Sequence, residues 1–256
     1  MGSTTAYIFA KDEEANISRC LVSLQPLNIE VKVLDSGSRD KTIEIANKYD
    51  FVQIENYLYK NHLTAYNYIC GQRTRSKDYA IILDADMILT EELREDLIQL
   101  IEEGTFEIVA APVQMYWNGH LLRYGSLYPP KPFLFRGGQQ YFMAYGHGEK
   151  LLPQYKVFTT RGKLIHDDRK EWVAWLLAQD RYSSNFIERW NEGRLSHRDQ
   201  LRTKTPIMVL VAPIWSFLVR LGCLSGRVGL LYAMDRLIAE AIHYRKVLAF
   251  KIDKER

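Results

Sequence analysis

Two carboxylates one residue apart, Asp84 and Asp86 on either side of Ala85, end an apolar run that extends from Tyr79 to Leu83. In an extended strand residues two apart point to the same side, so these acids would converge. Convergent carboxylates repel unless a positive charge joins them. A hard divalent cation such as Mg²⁺ or Mn²⁺ suits oxygen ligands and commonly bridges to substrate phosphates. With 14 aspartates in 256 residues, about one such triplet is expected by chance, so the spacing alone makes no site. Its setting is more informative. Asp35 ends a second apolar stretch, KVLD, immediately before a Ser-Gly-Ser turn.

The elements that must position these acids alternate. Strand-like stretches fall at 5–10, 32–35, 51–56, 79–84 and 106–115. Helical patterns lie between them: EEANISRCLVSL, with Ile17, Cys20, Leu21 and Leu24 on one face, then KTIEIANKY, residues 62–73, and EELREDLIQLIEE with Thr90 as its cap. This order predicts an α/β fold with a mainly parallel, twisted sheet covered by helices on both faces. Ligands of such sheets bind at the carboxyl edge, where Asp35, Asp84 and Asp86 fall.

Three segments in this order, FAKDEEANI, VLDSGSRDKT at 33–42 and ILDADMILT at 82–90, resemble the nucleotide-sugar-binding half of family-two inverting glycosyltransferases, which have the GT-A fold. The resemblance covers roughly residues 4–115 and rests on all three segments together. It implies that Ala10 and Glu13 line the nucleoside and that Asp35 reads the base. It places Asp84, Ala85 and Asp86 on the donor diphosphate, with Asp84 and Asp86 holding Mn²⁺ or Mg²⁺. A carboxylate accepting from a pyrimidine N–H and a cation offsetting a departing diphosphate are chemically consistent roles. His166, after the apolar GKLI, is a further metal ligand by the same resemblance, although a lone histidine beside a strand is more often structural.

Inverting transfer also needs a carboxylate to deprotonate the incoming hydroxyl. Glu149, in MAYGHGEKL, is the expected base. This stretch is similar to the His-Glu segment of the lipopolysaccharide-core glucosyltransferase-like subgroup, except that Gly148 separates His147 from Glu149. Asp167 and Asp168, in LIHDDRKEW, compete for the role. Gln179 and Arg181, in AQDRY, resemble the Q-x-x-R-W element of processive family-two synthases. The arginine comes one residue early and tyrosine replaces tryptophan, so repeated addition is not implied. Arg181 would neutralise diphosphate oxygens with its planar fork. Trp172, Trp175 and Tyr182 read either as a sugar platform or as core residues at helical spacing.

A net charge of +3 on 34 basic and 31 acidic residues argues against a nucleic-acid partner. Cys20, Cys70 and Cys223 are widely spaced and odd in number, which fits neither a disulfide framework nor a metal motif and suggests a reducing compartment. No leader pattern is expected at the N-terminus, where the apolar residues run straight into KDEE. Residues 206–219 are apolar, but Pro213 interrupts them and Arg220 closes them short of the ~20 residues of a bilayer span. Residues 229–250 read as an amphipathic helix with Leu230, Met234, Leu237, Ile238, Ala241 and Ile242 on one side and Arg227, Arg236, Arg245, Lys246 and Lys251 spread among them. That mixture suits a membrane interface, and the alternatives are packing on the catalytic domain or a homo-oligomer.

The expected organisation is a catalytic domain at 1–192, divided into a donor half (1–115) and an acceptor half (116–192), a polar connector at 191–204, and a helical region at 193–256. The expected activity is metal-dependent transfer of a sugar, from a UDP-sugar by resemblance, to a glycan or lipid-linked acceptor on the inner face of the cell membrane. A polyprenyl-phosphate glycosyltransferase and a silent sugar-nucleotide-binding scaffold are the alternatives. A nucleotidyltransferase would want a basic, glycine-rich loop where this chain has KDEE.

Overall fold

The run before the acid pair is buried throughout, with Ile81, Ile82 and Leu83 fully so. Each such side chain stabilises the fold by roughly 1.5–3 kcal/mol, which fixes where the following acids emerge. The computed structural model describes residues 3–254 except 76, 77, 146, 147, 194 and 196, and the backbone alone of 72, 144, 145, 148, 149, 197 and 198. Strands β1 (Thr4–Ala10), β2 (Glu30–Asp35), β3 (Val52–Asn56) and β4 (Tyr79–Asp84) are parallel neighbours in the order β4-β1-β2-β3. Helices α1 (Ile17–Leu24), α2 (Thr42–Ala46) and α3 (His62–Tyr68) connect them.

Alternation along the strands divides the core between the two faces of the sheet. Ala6, Ile8, Ile81 and Leu83 pack with Cys20, Leu21 and Leu24 of α1, while Tyr7, Phe9, Ala80 and Ile82 pack with Ala65, Tyr66 and Ile69. Beyond β5 (Met87–Leu89), helix α4 (Glu91–Glu103) starts where the Thr90 hydroxyl accepts from Leu93 N–H and stops at Gly104, whose φ of +64° suits glycine.

The single strand expected at 106–115 is two, β6 (Ile108–Ala111) and β7 (Val113–Trp117). Pro112 separates them, because it has no N–H to continue a ladder. Strand β6 joins the main sheet, followed in the chain by the short β8 (His120–Leu121) and by β9 (Lys131–Arg136), which runs antiparallel between β4 and β6. A hairpin of β10 (Phe142–Tyr145) and β11 (Gly148–Leu151) follows, and β12 (Val157–Thr159) completes the main sheet parallel to β6. Strand β13 (Leu164–His166) pairs antiparallel with β5 and parallel with β7 in a smaller sheet. The mainly parallel α/β organisation is as the alternation predicted, and the antiparallel β9 is its addition.

The chain forms two compact units, residues 1–119, 128–143 and 150–169 in the first, and 120–127, 144–149 and 170–256 in the second. In the second, α5 (Trp172–Asn191) packs against the long α8 (Gly226–Lys254) through Phe186 on His243 and Trp190 on Phe250. Thus α5 groups with the C-terminal helices. The polar stretch read as a connector contains a helix, α6 (His197–Lys204), and the apolar stretch after it forms α7 (Met208–Ile214), continued by a wider turn over Trp215–Val219.

Candidate functional site

The chemistry-bearing residues of the first unit gather at the carboxyl edge of β1, β2 and β4. Strand β4 ends at Asp84, and Ala85 and Asp86 form a turn before β5. The two acids therefore do not sit on one strand face, and each meets a different partner. Asp84 forms an ion pair with Lys131. The cause is the antiparallel register of β9, since Ile81 lies opposite Leu134 and three further residues in each direction reach Asp84 and Lys131. Burial alone would push the Asp84 carboxyl up, but Lys131, with His62 and His166, holds it below the ordinary aspartate value. Lys131 is itself 9 % exposed, and Asp84 keeps it charged far above the usual lysine range against the opposing effect of burial.

Asp86 is placed by the small sheet. His166 pairs with Met87 across β13 and β5, and Asp167 N–H donates to the Asp86 carbonyl at 3.0 Å. Asp86 Oδ2 thus lies 3.4 Å from His166 Nε2, while Asp86 Oδ1 and His166 Nδ1 are buried with no hydrogen-bond partner. Burial raises the Asp86 carboxyl, the negative charges of Asp84 and Asp168 raise it further, and His166 only partly opposes them. Buried polar atoms are almost always satisfied, so an orphaned carboxylate oxygen beside an imidazole wants a cation. Among the described residues no group of three or more His, Cys, Asp or Glu is arranged to hold a metal. A carboxylate and an imidazole are nonetheless donor types that a divalent ion such as Mn²⁺ accepts.

The neighbouring loops are organised by one side chain the sequence did not single out. Asn16, 1 % exposed, donates through Nδ2 to Glu13 Oε2 (2.8 Å) and Asp168 Oδ1 (2.9 Å) and accepts through Oδ1 from Arg19 (2.8 Å) and Arg169 N–H (2.9 Å). An amide side chain has two donor hydrogens and two acceptor lone pairs, so its capacity is filled. Instead of the helix expected from residue 13, the acidic stretch forms a turn, and α1 begins at Ile17. The Glu13 N–H donates to Thr42 Oγ1 at 2.7 Å, tying this turn to the start of α2.

Asp35 closes the Ser-Gly-Ser turn. Its buried carboxylate accepts from Gly37 N–H (3.0 Å), Ser38 N–H (3.2 Å) and the Ser38 hydroxyl (2.5 Å), and Gly37 adopts the φ of +85° that the turn requires. The Ser38 N–H reaches both carboxylate oxygens at 3.2 Å, so the turn itself engages the carboxylate's roughly four acceptor positions. Ala10, buried at the end of β1, accepts from Ser36 N–H. Beside this edge, Phe9, Tyr59, His62 and Tyr66 form an aromatic group, with Phe9 and Tyr59 centroids 5.5 Å apart.

The competing aspartates separate clearly. Asp167 is buried and spans Arg19 (2.5 Å) and Arg169 (2.8 Å), an arrangement that holds loops together. Asp168 faces Asn16 and adds its charge to the surroundings of Asp86. Glu149 lies in β11, but its side chain and the whole of His147 fall outside the described residues. Gln179 and Arg181 belong to α5 in the second unit, where the Gln179 carbonyl accepts from Ser183 and the exposed Arg181 sits 5.9 Å over the Tyr182 ring. Trp172 donates to Asp235 at 3.2 Å. Lys131 escaped the sequence reading because β9 was not anticipated; a lysine opening the apolar run KPFLFR was the one signal.

A family model described as "Glycosyl transferase family 2" matches residues 5–148, more than half of the chain. Among solved structures, the chain is similar to S. aureus TarS 1–349 at 12% identity, covering 98% of this chain and 92% of that one with a TM-score of 0.46. It is also similar to glucosyl-3-phosphoglycerate synthase from Mycobacterium tuberculosis, in complex with Mn²⁺, uridine diphosphate and glucosyl-3-phosphoglycerate, at 21% identity over 44% of each chain with a TM-score of 0.35. The chain thus spans less than half the length of that synthase. At TM-scores below 0.5 these two likenesses carry no argument about chemistry.

Proposed function

The chain belongs to glycosyl transferase family 2, and from that premise we propose that it transfers a sugar, with inversion, from a UDP-sugar to a glycan or lipid-linked glycan acceptor. Its parallel-rich sheet with helices on both faces is the GT-A organisation. The observation that carries the reading is the pair Asp86 and His166 at the sheet edge, each with a buried atom that lacks a partner. In this reading they hold Mn²⁺ or Mg²⁺. When bound, the cation supplies positive charge to the leaving diphosphate.

The remaining roles belong to residues of this chain. Asp84, charged and held by Lys131, marks the diphosphate end of the donor cleft, with Ala85 in the turn between the acids. In this reading Asp35, at the end of β2, contacts the base. Ala10 and Glu13 line the nucleoside, and Glu13 is steadied there by Asn16. In this reading residues 1–115 form the donor half.

Glu149 is the proposed base, and Asp167 and Asp168 are its rivals, the former engaged by two arginines. The base takes the proton of the acceptor hydroxyl while that oxygen forms its bond to the anomeric carbon and the diphosphate departs with the bonding electrons. The lipid-linked acceptor follows the subgroup to which MAYGHGEKL is similar. The test is a panel of nucleotide sugars with Mn²⁺ or Mg²⁺. A UDP-sugar should be hydrolysed slowly and protect against heat. Protection by no nucleotide sugar at any metal concentration would overturn the reading.

A further inference from the structure

The second unit turns the apolar side of one helical segment outward. From Ile207 to Leu218 the exposed positions are Ile207, Leu210, Val211, Ile214, Trp215 and Leu218, spaced by three, one, three, one and three residues. This is the stripe that a helix normally buries. Its inward side is occupied by small residues instead: Ala212 is 9 % exposed and Ser216 fully buried, with the Ser216 hydroxyl donating to the Gly125 carbonyl at 2.8 Å. The turn that follows continues the exposed surface with Val219, Leu221 and Leu224. Contiguous patches of this kind mark interaction sites.

Charge selects the partner. No aspartate or glutamate occurs from Gln200 to Met234, whereas Lys204, Arg220 and Arg227 flank the apolar stripe and are exposed. Asp199, just before this stretch, is buried. A surface that is apolar at its centre, basic at its edges and free of acid matches an anionic bilayer. No single described helix is long and apolar enough to cross a membrane, and the segment bends by 68° into the following helix.

We propose that residues 207–224 form a membrane-interface element that seats the second unit on an anionic lipid surface, with Lys204, Arg220 and Arg227 at headgroup level. This adds residues 207–224 to the contact expected of residues 229–250. The exposed Leu230, Met234 and Leu237 of α8 extend it. The inference is independent of the acid pair, so either can fail without the other.

Sedimentation of the full chain with vesicles tests it. The chain should bind equimolar phosphatidylcholine and phosphatidylglycerol, bind phosphatidylcholine alone far less, and dissociate as salt rises. Combining Leu210→Glu with Leu218→Glu should abolish binding with an unchanged circular dichroism spectrum. Combining Arg220→Glu with Arg227→Glu should weaken it at least about tenfold and flatten the salt dependence. Brominated lipid should quench wild-type tryptophan fluorescence and quench Trp215→Phe markedly less, a readout that keeps the fold intact. Wild-type binding by the leucine variant, equal quenching of Trp215→Phe, or a wild type that ignores both vesicles and runs as a dimer broken by the leucine changes would each overturn the proposal.

Discussion

Lys131 and Asp84 form an ion pair between two antiparallel neighbours of the main sheet, β9 and β4, at the edge where β4 ends. The lysine is almost entirely buried, so its charge depends on the carboxylate. Lys131→Met should therefore leave Asp84 without its counter-charge and destabilise the chain by about 1–3 kcal/mol, less than a fully buried pair because Asp84 keeps some solvent. Urea unfolding measures this. An unchanged midpoint would show the pair to be dispensable.

Asp167 and Asp168 are adjacent, yet their variants should behave differently. Asp167→Asn weakens two charge-assisted contacts, to Arg19 and Arg169, and should cost about 2–3 kcal/mol of stability. In Asp168→Asn the amide oxygen can still accept from Asn16 Nδ2, so that contact is retained. Comparing donor turnover for Asp168→Asn and Glu149→Gln then identifies the base, since the variant of the true base should lose about a hundredfold or more in kcat.

Gly229, at the start of α8, has no room for a side chain, because a Cβ would collide with the Gly222 carbonyl. The same turn leaves only 2.7 Å between Gly222 Cα and a Cβ placed on Gly125. Gly229→Ala should destabilise the second unit by about 1–3 kcal/mol through overpacking. Hydrogen exchange should show faster opening of α7 and α8, with the sheet amides unaffected.

Glu55 and Arg73 form a bidentate pair, with contacts of 2.5 and 2.7 Å. The guanidinium, against the opposing effect of burial and with help from Lys32, holds the Glu55 carboxyl below the ordinary glutamate value. A depressed carboxyl adds stability that is fully present above its unfolded value and is lost as pH falls through the folded one. Glu55→Gln should therefore lower the melting temperature at neutral pH and match the wild type once acid has protonated Glu55. Equal melting temperatures at neutral pH would contradict this.

The sheet was legible because β1 and β4 carry long apolar runs that admit few alternatives, and Asp35 and Asp84 were placed by where apolar stretches stop. The geometry around them was not. Whether Asp84 and Asp86 share a face depends on the strand ending at Asp84, which alternation cannot reveal. Lys131 and Asn16 act through antiparallel register and loop closure over distances of 47 and 152 residues, and such contacts leave no periodic trace. The outward stripe at 207–218 was visible as an apolar run, but only small residues at Ala212 and Ser216 showed which side faces in.

Nucleotide binding by the Asp86→Asn variant tests the central claim most directly. The wild type should gain thermal stability from UDP only when Mn²⁺ is present, and Asp86→Asn should lose that gain. Without metal the variant should be at least as stable as the wild type, since burial and neighbouring charge disfavour an ionised Asp86. A variant that binds UDP and Mn²⁺ as tightly as the wild type would contradict the account.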